Sequence, residues 1–203
     1  MKLYNAPAPA PNPRRVRIFL AEKGKTIPLQ DINIMAGELK RPEHLARDPL
    51  GQVPTLELDD GTFLSETVAI CRYLESLYPD PPLFGTTPLE QARIDMMARR
   101  VEFQLGTPTG MFWVHAHPIT AAFIKQHKDF GESNRANFDR GANWLDRELA
   151  TRDYVAGDSF TIADICLLTV VDFANWIGLT LPEGAAKLRA WHERVSARPS
   201  AKA

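Results

Sequence analysis

Residues 51–67 read GQVPTLELDDGTFLSET. Within this stretch, Thr55–Leu58 alternates polar and apolar side chains, as a half-buried strand does. Asp60-Gly61 is a strong signal for a hairpin turn, and Thr62–Leu64 predicts a second short strand after it. The stretch therefore predicts a β-hairpin, from which the chain enters a helix at Ser65-Glu66-Thr67.

The two ends of this stretch suit a ligand with amino-acid character. The bond between Val53 and Pro54 could be cis, and the Val53 backbone would then be free to bind an extended peptide as an added strand. At the helix start, unpaired N–H groups attract a carboxylate, and Glu66 could meet an ammonium group of the same ligand. The alternative is an ordinary hairpin with a trans proline and a capped helix. The residues that follow the helix start form its predicted apolar face: Val68, Ala69, Ile70, Tyr73, Leu74 and Leu77.

The segments GQVP (51–54), DG (60–61) and LSETVAI (64–70) resemble the glutathione-binding half of cytosolic glutathione S-transferases. Family members often carry Glu-Ser where this chain has Glu66-Thr67. The resemblance implies that Val53, beside Pro54, pairs with the cysteinyl backbone of glutathione. It also implies that Glu66 and Thr67 hold the γ-glutamyl end.

Composition narrows the possible partners. The chain has 203 residues, of which 44% are hydrophobic and 24% charged, with a net charge of −1. These values are typical of a soluble globular protein, and without a basic tract we expect neither nucleic acid nor a membrane as a partner. No apolar run could span a bilayer, and the N-terminus has no signal-peptide core. Cys71 and Cys166 lie in predicted helices, and we expect buried thiols in a cytoplasmic protein.

The first part of the chain predicts an α/β unit over residues 1–78. Lys2–Asn5 is a strand candidate, and a proline-rich loop follows it. Asn12-Pro13 is typical of a helix N-cap followed by proline at the first helical position, which predicts a helix over Arg14–Lys23 with an apolar stripe of Val16, Phe19 and Leu20. Thr26–Ile34 predicts a second strand, and 36–47 a loop with one short helix. The order β-α-β-α-β-β-α fits a thioredoxin-like domain.

Residues 79–86 contain three prolines and predict a linker. From 87 to 203 every convincing segment is helical, which predicts an all-helical second domain and, with the first, the glutathione S-transferase fold. The Thr/Pro/Gly-rich residues 106–110 predict an interruption. The predicted helical segments are Leu89–Leu105, Met111–His117, Ile119–His127, Asn134–Ala150, Ile162–Gly178 and Pro182–Ala197.

The helix at Ile162 begins with a structural signature. Thr161 and Asp164 can cap each other's backbone donors, while Phe160 can pack against Ile165. The motif has no catalytic content. Glutathione S-transferases carry a similar one at the start of their buried helix, so it supports the resemblance from the other half of the chain.

The usual catalytic group is missing. Glutathione transfer needs a thiolate, from a thiol with an unperturbed pKa of about 8.5. Most of the family provide a Tyr, Ser or Cys just after the first strand, but residues 5–13 contain none. Tyr4 lies inside the predicted strand, where we expect a packing role. What remains is the helix start at Asn12-Pro13-Arg14, where the helix dipole and unpaired N–H groups lower a thiol pKa and Arg14 or Arg15 could add positive charge. This loop resembles an atypical fungal and bacterial branch, which uses the helix start and a bound water.

The other site residues rest on weaker patterns. His115, from the helical half, could orient that water or accept the thiol proton; the alternative is a histidine that is only packed or solvated. Lys40 or Arg41, together with Gln52, could bind the glycyl carboxylate. Aromatic and apolar residues could line a second-substrate surface: Met111, Phe112, Trp113 and Trp176. We expect no metal, because the histidine pair at 115 and 117 lacks a third ligand nearby.

Three functions follow from the resemblance. The first is a glutathione transferase that conjugates or reduces small electrophiles. The second is a glutathione-binding protein without catalysis, which the missing hydroxyl favours. The third is a glutathione-dependent isomerase, suggested by Arg15-Val16-Arg17, although its Ser- and Cys-rich loop is absent. The resemblance also implies a homodimer.

Overall fold

The computed structural model describes Met1–Ala203. The chain divides into two compact units. The first comprises Met1–Leu83 with Lys202–Ala203, and the second comprises Phe84–Ala201.

The first unit contains a four-stranded sheet with helices. Its strands and helices are β1 (Lys2–Asn5), α1 (Pro11–Glu22), β2 (Leu29–Asp31), α2 (Pro42–Leu45), β3 (Thr55–Glu57), β4 (Phe63–Leu64) and α3 (Thr67–Leu77), with a 3-10 turn at Glu38–Lys40. The sheet order is β2-β1-β3-β4. β1 and β2 are parallel, whereas β3 is antiparallel to both β1 and β4. The predicted order of elements and the thioredoxin-like fold are confirmed.

The core of the first unit lies between the sheet and its helices. Val16, Phe19 and Leu20 of α1 are buried, as their spacing predicts. The predicted apolar face of α3 was partly wrong: its buried residues include Ile70, Cys71 and Leu74, but Ala69 is exposed and Leu77 is 44% exposed. Leu77 is the last residue of α3, beyond the part of the helix that packs.

The start of α1 differs from the prediction. Ala10 is the N-cap, so Pro11 is the first helical residue, Asn12 the second and Pro13 the third. The predicted N-cap role of Asn12 is therefore wrong. Both prolines fit because N–H groups in a first helical turn have no partner within the helix. Asn12 consequently carries the only amide N–H among the first three residues of α1.

The second strand is shorter than predicted. Only Leu29–Asp31 of the predicted 26–34 pairs with β1, and all three residues are exposed. β2 is an edge strand and has β1 as its only neighbour, so its length is limited to the residues that pair with β1.

The second unit is helical. Its elements are α4 (Pro88–Val101), a π-helical turn (Glu102–Gly106), α5 (Thr107–His115), a 3-10 turn (Pro118–Ala122), α6 (Lys128–Glu148), α7 (Ile162–Trp176) and α8 (Ala186–Ser196), followed by a 3-10 turn at Pro199–Lys202. α7 is the central helix, with eleven buried residues among its fifteen. No helix of the chain is both long and apolar enough to cross a membrane.

Two predictions in this unit were wrong. Residues 106–110 do not interrupt the helix, because the π-helical turn shifts the hydrogen-bond register before Pro108. The Thr109 hydroxyl donates to the Leu105 carbonyl at 2.8 Å. The predicted helix over 119–127 is also absent beyond a five-residue 3-10 turn. There the Gln126 amide donates to the His117 carbonyl and to the Thr120 hydroxyl, both at 2.8 Å, so a side chain holds this segment.

Candidate functional site

Two unpaired backbone groups lie in front of β3, in the first unit. The Val53–Pro54 peptide bond is cis. Val53 is half-buried, and neither its N–H nor its C=O pairs with the sheet or with a neighbouring loop. An extended peptide could therefore bind Val53 through both groups, as an added strand does.

Two buried side chains hold the backbone of Gln52, the residue before Val53. The His44 Nε2 donates to the Gln52 carbonyl at 2.8 Å, and the Gln52 N–H donates to Asp48 Oδ2 at 2.6 Å. Since the carbonyl can only accept, Nε2 of His44 carries the hydrogen. His44 is 2% exposed and Asp48 is 3% exposed. Sequence reasoning missed both, because they follow no periodic pattern; polar residues just before Gly51-Gln52 were the only signal.

Gly51 allows this loop its shape. Its φ is +64°, and a Cβ there would lie 2.6 Å from the Leu39 carbonyl oxygen. The Gly51 N–H donates to the Asp48 carbonyl at 2.9 Å. Only glycine tolerates both the positive φ and the close carbonyl oxygen, so Gly51 fixes the backbone conformation that leads to Val53.

The start of α3 has an unusual backbone conformation. Glu66 is the N-cap and has a φ of 66°, the only positive φ of a non-glycine residue in the chain. Such conformations cost about 1–3 kcal/mol and cluster at ligand sites. The Glu66 side chain is exposed, and no group of the chain pairs with its carboxylate. The site therefore offers a free carboxylate beside the unpaired N–H groups of a helix start.

The predicted residues Gln52, Val53, Glu66 and Thr67 are brought together through buried polar contacts. The Ser65 hydroxyl donates to Asp48 Oδ1 at 3.0 Å, so Asp48 joins the segment before Val53 to the segment before Glu66. Thr67 is 8% exposed. Its hydroxyl accepts from the buried guanidinium of Arg15, on α1, at 3.4 Å.

Lys40 flanks the same loop. Its ammonium donates to the Leu50 carbonyl at 3.0 Å, and the side chain is exposed. An ammonium carries three N–H donors, so Lys40 keeps donors for a carboxylate.

The residues at the start of α1 lie in its first turn. Asn12 is exposed and Arg14 is half-buried. Tyr4 takes the packing role expected for it: it is 2% exposed, and its hydroxyl donates to Glu57 Oε2 at 2.7 Å. Hydrogen bonds from Tyr4 and Lys2 hold the pKa of Glu57 below its usual range.

His115 and His117 belong to the second unit. His115 is half-buried at the end of α5, and its Nδ1 accepts the His127 N–H at 3.4 Å. Its Nε2 therefore carries the hydrogen of the neutral ring. His117 Nδ1 accepts the Ile119 N–H at 3.4 Å and so caps a 3-10 turn, while burial lowers the pKa of His117.

The predicted aromatic surface divides into a buried and an exposed part. Phe112 is 3% exposed, under the Arg135 guanidinium, so it belongs to the core. The Trp113 ring lies 5.5 Å from that of Trp176, which is 48% exposed, and Phe173 packs against both. Phe112 and Trp113, adjacent in sequence, thus point to different sides of α5. No group of three or more His, Cys, Asp or Glu side chains is arranged to hold a metal ion.

Comparison with known proteins gives the same picture for both halves. Residues 10–77 match the glutathione S-transferase N-terminal domain, and residues 112–199 match the C-terminal domain. The chain is 43% identical to glutathione S-transferase 2 of Saccharomyces cerevisiae, over 100% of this chain and 88% of that protein. The crystal structure of Gtt2 from Saccharomyces cerevisiae superimposes with a TM-score of 0.93 at 42% identity, covering 100% of this chain and 99% of that one.

A glutathione S-transferase-I structure with lactoylglutathione bound superimposes with a TM-score of 0.83 at 25% identity, covering 99% of this chain and 95% of that one. The two domain matches together span more than half of the sequence. The chain belongs to the glutathione S-transferase family.

Proposed function

We propose that this protein is a glutathione transferase that conjugates or reduces small electrophiles with the glutathione thiolate. The observation that carries the proposal is the unpaired Val53 backbone, joined through Asp48 to the helix start at Glu66 and Thr67. A tripeptide with an amino-acid head group has the groups that this arrangement can bind.

Each end of glutathione has a proposed partner. The Val53 N–H and C=O pair with the cysteinyl backbone, beside Pro54. The Glu66 carboxylate binds the γ-glutamyl ammonium, and the α3 N–H groups with the Thr67 hydroxyl bind the γ-glutamyl carboxylate. Lys40 and Gln52 bind the glycyl carboxylate at the other end.

The thiolate is stabilised at the start of α1. Asn12 supplies the one free amide of that turn, and Arg14 adds positive charge. A thiol pKa lowered by about two units corresponds to roughly 2.7 kcal/mol. A helix end alone contributes about 0.3–2 kcal/mol. The charge of Arg14 and a bound water are therefore part of the proposal, with His115 as the side chain that orients the water.

The proposed reaction needs no further cofactor. Glutathione gives up its S–H proton to solvent through the bound water, and the sulfur lone pair then forms a bond to an electrophilic carbon. For an aryl halide, the halide leaves with the electrons of the carbon–halogen bond. Holding the two reactants together supplies the rest of the acceleration. Trp113 and Trp176 are the proposed apolar surface for the second substrate.

The decisive experiment is calorimetry with glutathione, combined with ultraviolet titration of the bound thiolate. We expect heat of binding and a thiolate that persists well below pH 8.5. S-methylglutathione is the matched control, because it has no thiol proton to lose. Absence of binding would refute the proposal.

Turnover separates the transferase from a protein that only binds glutathione. That second candidate is favoured by the lack of Ser, Tyr, Thr or Cys in residues 5–13. We expect steady-state conjugation of an aryl halide, and loss of rate but not of binding in His115→Phe. Binding without turnover on several electrophiles would favour the second candidate.

A homodimer is part of the proposal. Leu89, Met96 and Phe103 recur every seven residues along α4 and the π-helical turn, and they are 58%, 41% and 62% exposed. They lie on the side of the helix opposite to its buried residues Ile94, Met97, Ala98 and Val101. A second copy of this chain is the proposed cover for this apolar stripe. Cys71 and Cys166 are buried and form no disulfide, which is compatible with a cytoplasmic location.

A further inference from the structure

We propose that Asp48 is a positioning residue that couples the two ends of the glutathione site, an inference that rests on the proposed function. Its carboxylate lies beneath the backbone that would bind the cysteinyl group and beneath the start of α3. It does not itself touch the reacting atoms.

The geometry gives each carboxylate oxygen one donor. Oδ2 accepts the Gln52 N–H at 2.6 Å, and Oδ1 accepts the Ser65 hydroxyl at 3.0 Å. Asp48 is 3% exposed, so water competes little for either oxygen. Hydrogen bonds to a charged acceptor are roughly twice as strong as neutral ones.

Both donors stand one residue before a binding position. Gln52 precedes Val53, whose backbone would pair with the ligand, and Ser65 precedes Glu66, whose φ is 66°. His44 holds the carbonyl of Gln52 from the other side. A displacement of the segment before Val53 would therefore displace the segment before Glu66, and the reverse, because both segments donate to the same carboxylate.

Chemistry distinguishes the side chains that could replace Asp48. An asparagine can accept the Gln52 N–H through its oxygen and donate its NH₂ to the Ser65 oxygen, since a hydroxyl can act as acceptor. An alanine loses both bonds. Replacing Ser65 by alanine removes only the link to α3 and leaves Gln52 held.

The test compares the wild-type protein with Asp48→Ala, Asp48→Asn and Ser65→Ala. For Asp48→Ala we expect the glutathione Kd and KM to rise about 10-fold to 100-fold, because a charged hydrogen-bond acceptor is lost. The KM for the electrophile should change little. Asp48→Asn should bind nearly as wild type, and Ser65→Ala should fall between. Asp48→Ala/Ser65→Ala should bind no more weakly than Asp48→Ala alone, since Ser65 acts through Asp48.

A merely structural role predicts something else. Asp48→Ala and Ser65→Ala would then lower the melting temperature, while the folded protein kept its glutathione Kd; that result overturns the inference. If Asp48→Ala does not fold, Ser65→Ala decides, and unchanged affinity in it overturns the coupling.

Amide hydrogen exchange without ligand separates this inference from the proposed function. Ser65→Ala should speed exchange of the Ile70 N–H, which donates to the Glu66 carbonyl, but not of the Gln52 N–H, which donates to Asp48, and Asp48→Ala should speed exchange of both. If wild type bound no glutathione, the proposed function would fail, and unaltered exchange in both variants would overturn the Asp48 link itself.

Discussion

Val53 offers a ligand its backbone rather than its side chain. Its N–H and C=O are unpaired in the chain, while Asp48 and His44 fix the backbone of the preceding residue, Gln52. Specificity at such a position depends on groups that every residue except proline carries. A substitution therefore tests the site only if it removes the N–H.

Val53→Pro should bind glutathione at least about 10-fold more weakly, because it loses one backbone hydrogen bond and leaves the ligand carbonyl unpaired. Val53→Ala keeps the N–H and is the matched control, with affinity close to wild type. Calorimetry measures both. Equal affinity in the two variants would contradict backbone pairing.

Asp164 shows a buried carboxylate used for structure. It accepts from the Val155 N–H, the Thr161 N–H and the Trp191 Nε1, at 2.9–3.0 Å. Burial raises the pKa of Asp164 from 3.8 to about 6, against the opposing effect of these bonds. A raised pKa means that the folded state binds more protons than the unfolded state between these two values. The contribution of Asp164 to stability therefore falls as the pH rises through this window.

The free energy of unfolding tests this against Asp164→Asn, which does not titrate. The variant loses stability at every pH, because the asparagine cannot satisfy all the donors. The advantage of wild type over the variant should shrink by roughly 2 kcal/mol between about pH 4 and about pH 7. Denaturant unfolding at several pH values gives this difference. A constant or growing advantage would contradict a pKa of Asp164 that folding raises.

At the scale of elements, the close approach of α6 to the π-helical turn depends on one glycine. A Cβ at Gly141 would overlap the carbonyl oxygen of Gln104, which is backbone and cannot rotate away. The turn itself accommodates Pro108 without ending the helix. Local sequence predicted an interruption here because the compensating contacts come from helices distant in sequence.

Gly141→Ala should lower the free energy of unfolding by about 1–3 kcal/mol, because the two elements must separate. Gly110→Ala is the matched control, since nothing lies within 4 Å of a Cβ there. Gly110 is inside α5, so alanine should stabilise the protein by roughly 0.5–1 kcal/mol. Urea unfolding measures both changes. A Gly141→Ala variant as stable as wild type would show that α6 can shift without loss.

At the scale of the whole molecule, the exposed stripe of Leu89, Met96 and Phe103 is the proposed interface of a homodimer. A stable interface buries about 1,200–2,000 Å² in total, so other residues must join the stripe. Met96 is at its centre. A charge at that position would have to be buried without a partner in the dimer.

Wild type should sediment at twice the chain mass of 22.7 kDa. Met96→Asp should sediment at the mass of a single chain, with its helical content preserved. Ala136→Asp, on an exposed face of α6, introduces the same charge elsewhere and should leave the dimer intact. A wild type that is monomeric at micromolar concentration would refute the dimer.

The sequence alone determined the elements that depend on neighbours along the chain. Asp60-Gly61 and the alternation around it predicted the hairpin, and residue spacing predicted the buried stripe of α1. Thr161 and Asp164 marked the start of α7. These features require only local backbone preferences and side-chain periodicity. The prediction that Val53, Glu66 and Thr67 bind a ligand came from the resemblance to glutathione S-transferases.

The tertiary structure decided what local patterns leave open. It moved the start of α1 from Asn12-Pro13 to Pro11, because two prolines fit equally well in a first turn. It also assembled the Asp48 contacts with Gln52 and Ser65, across 4 and 17 positions of the chain. Hydrogen bonds of this kind depend on how loops fold over the sheet, and no periodic pattern in the sequence predicts them. The order of helices and strands could thus be predicted from the sequence, whereas the buried hydrogen bonds that hold the proposed ligand site form only in the tertiary structure.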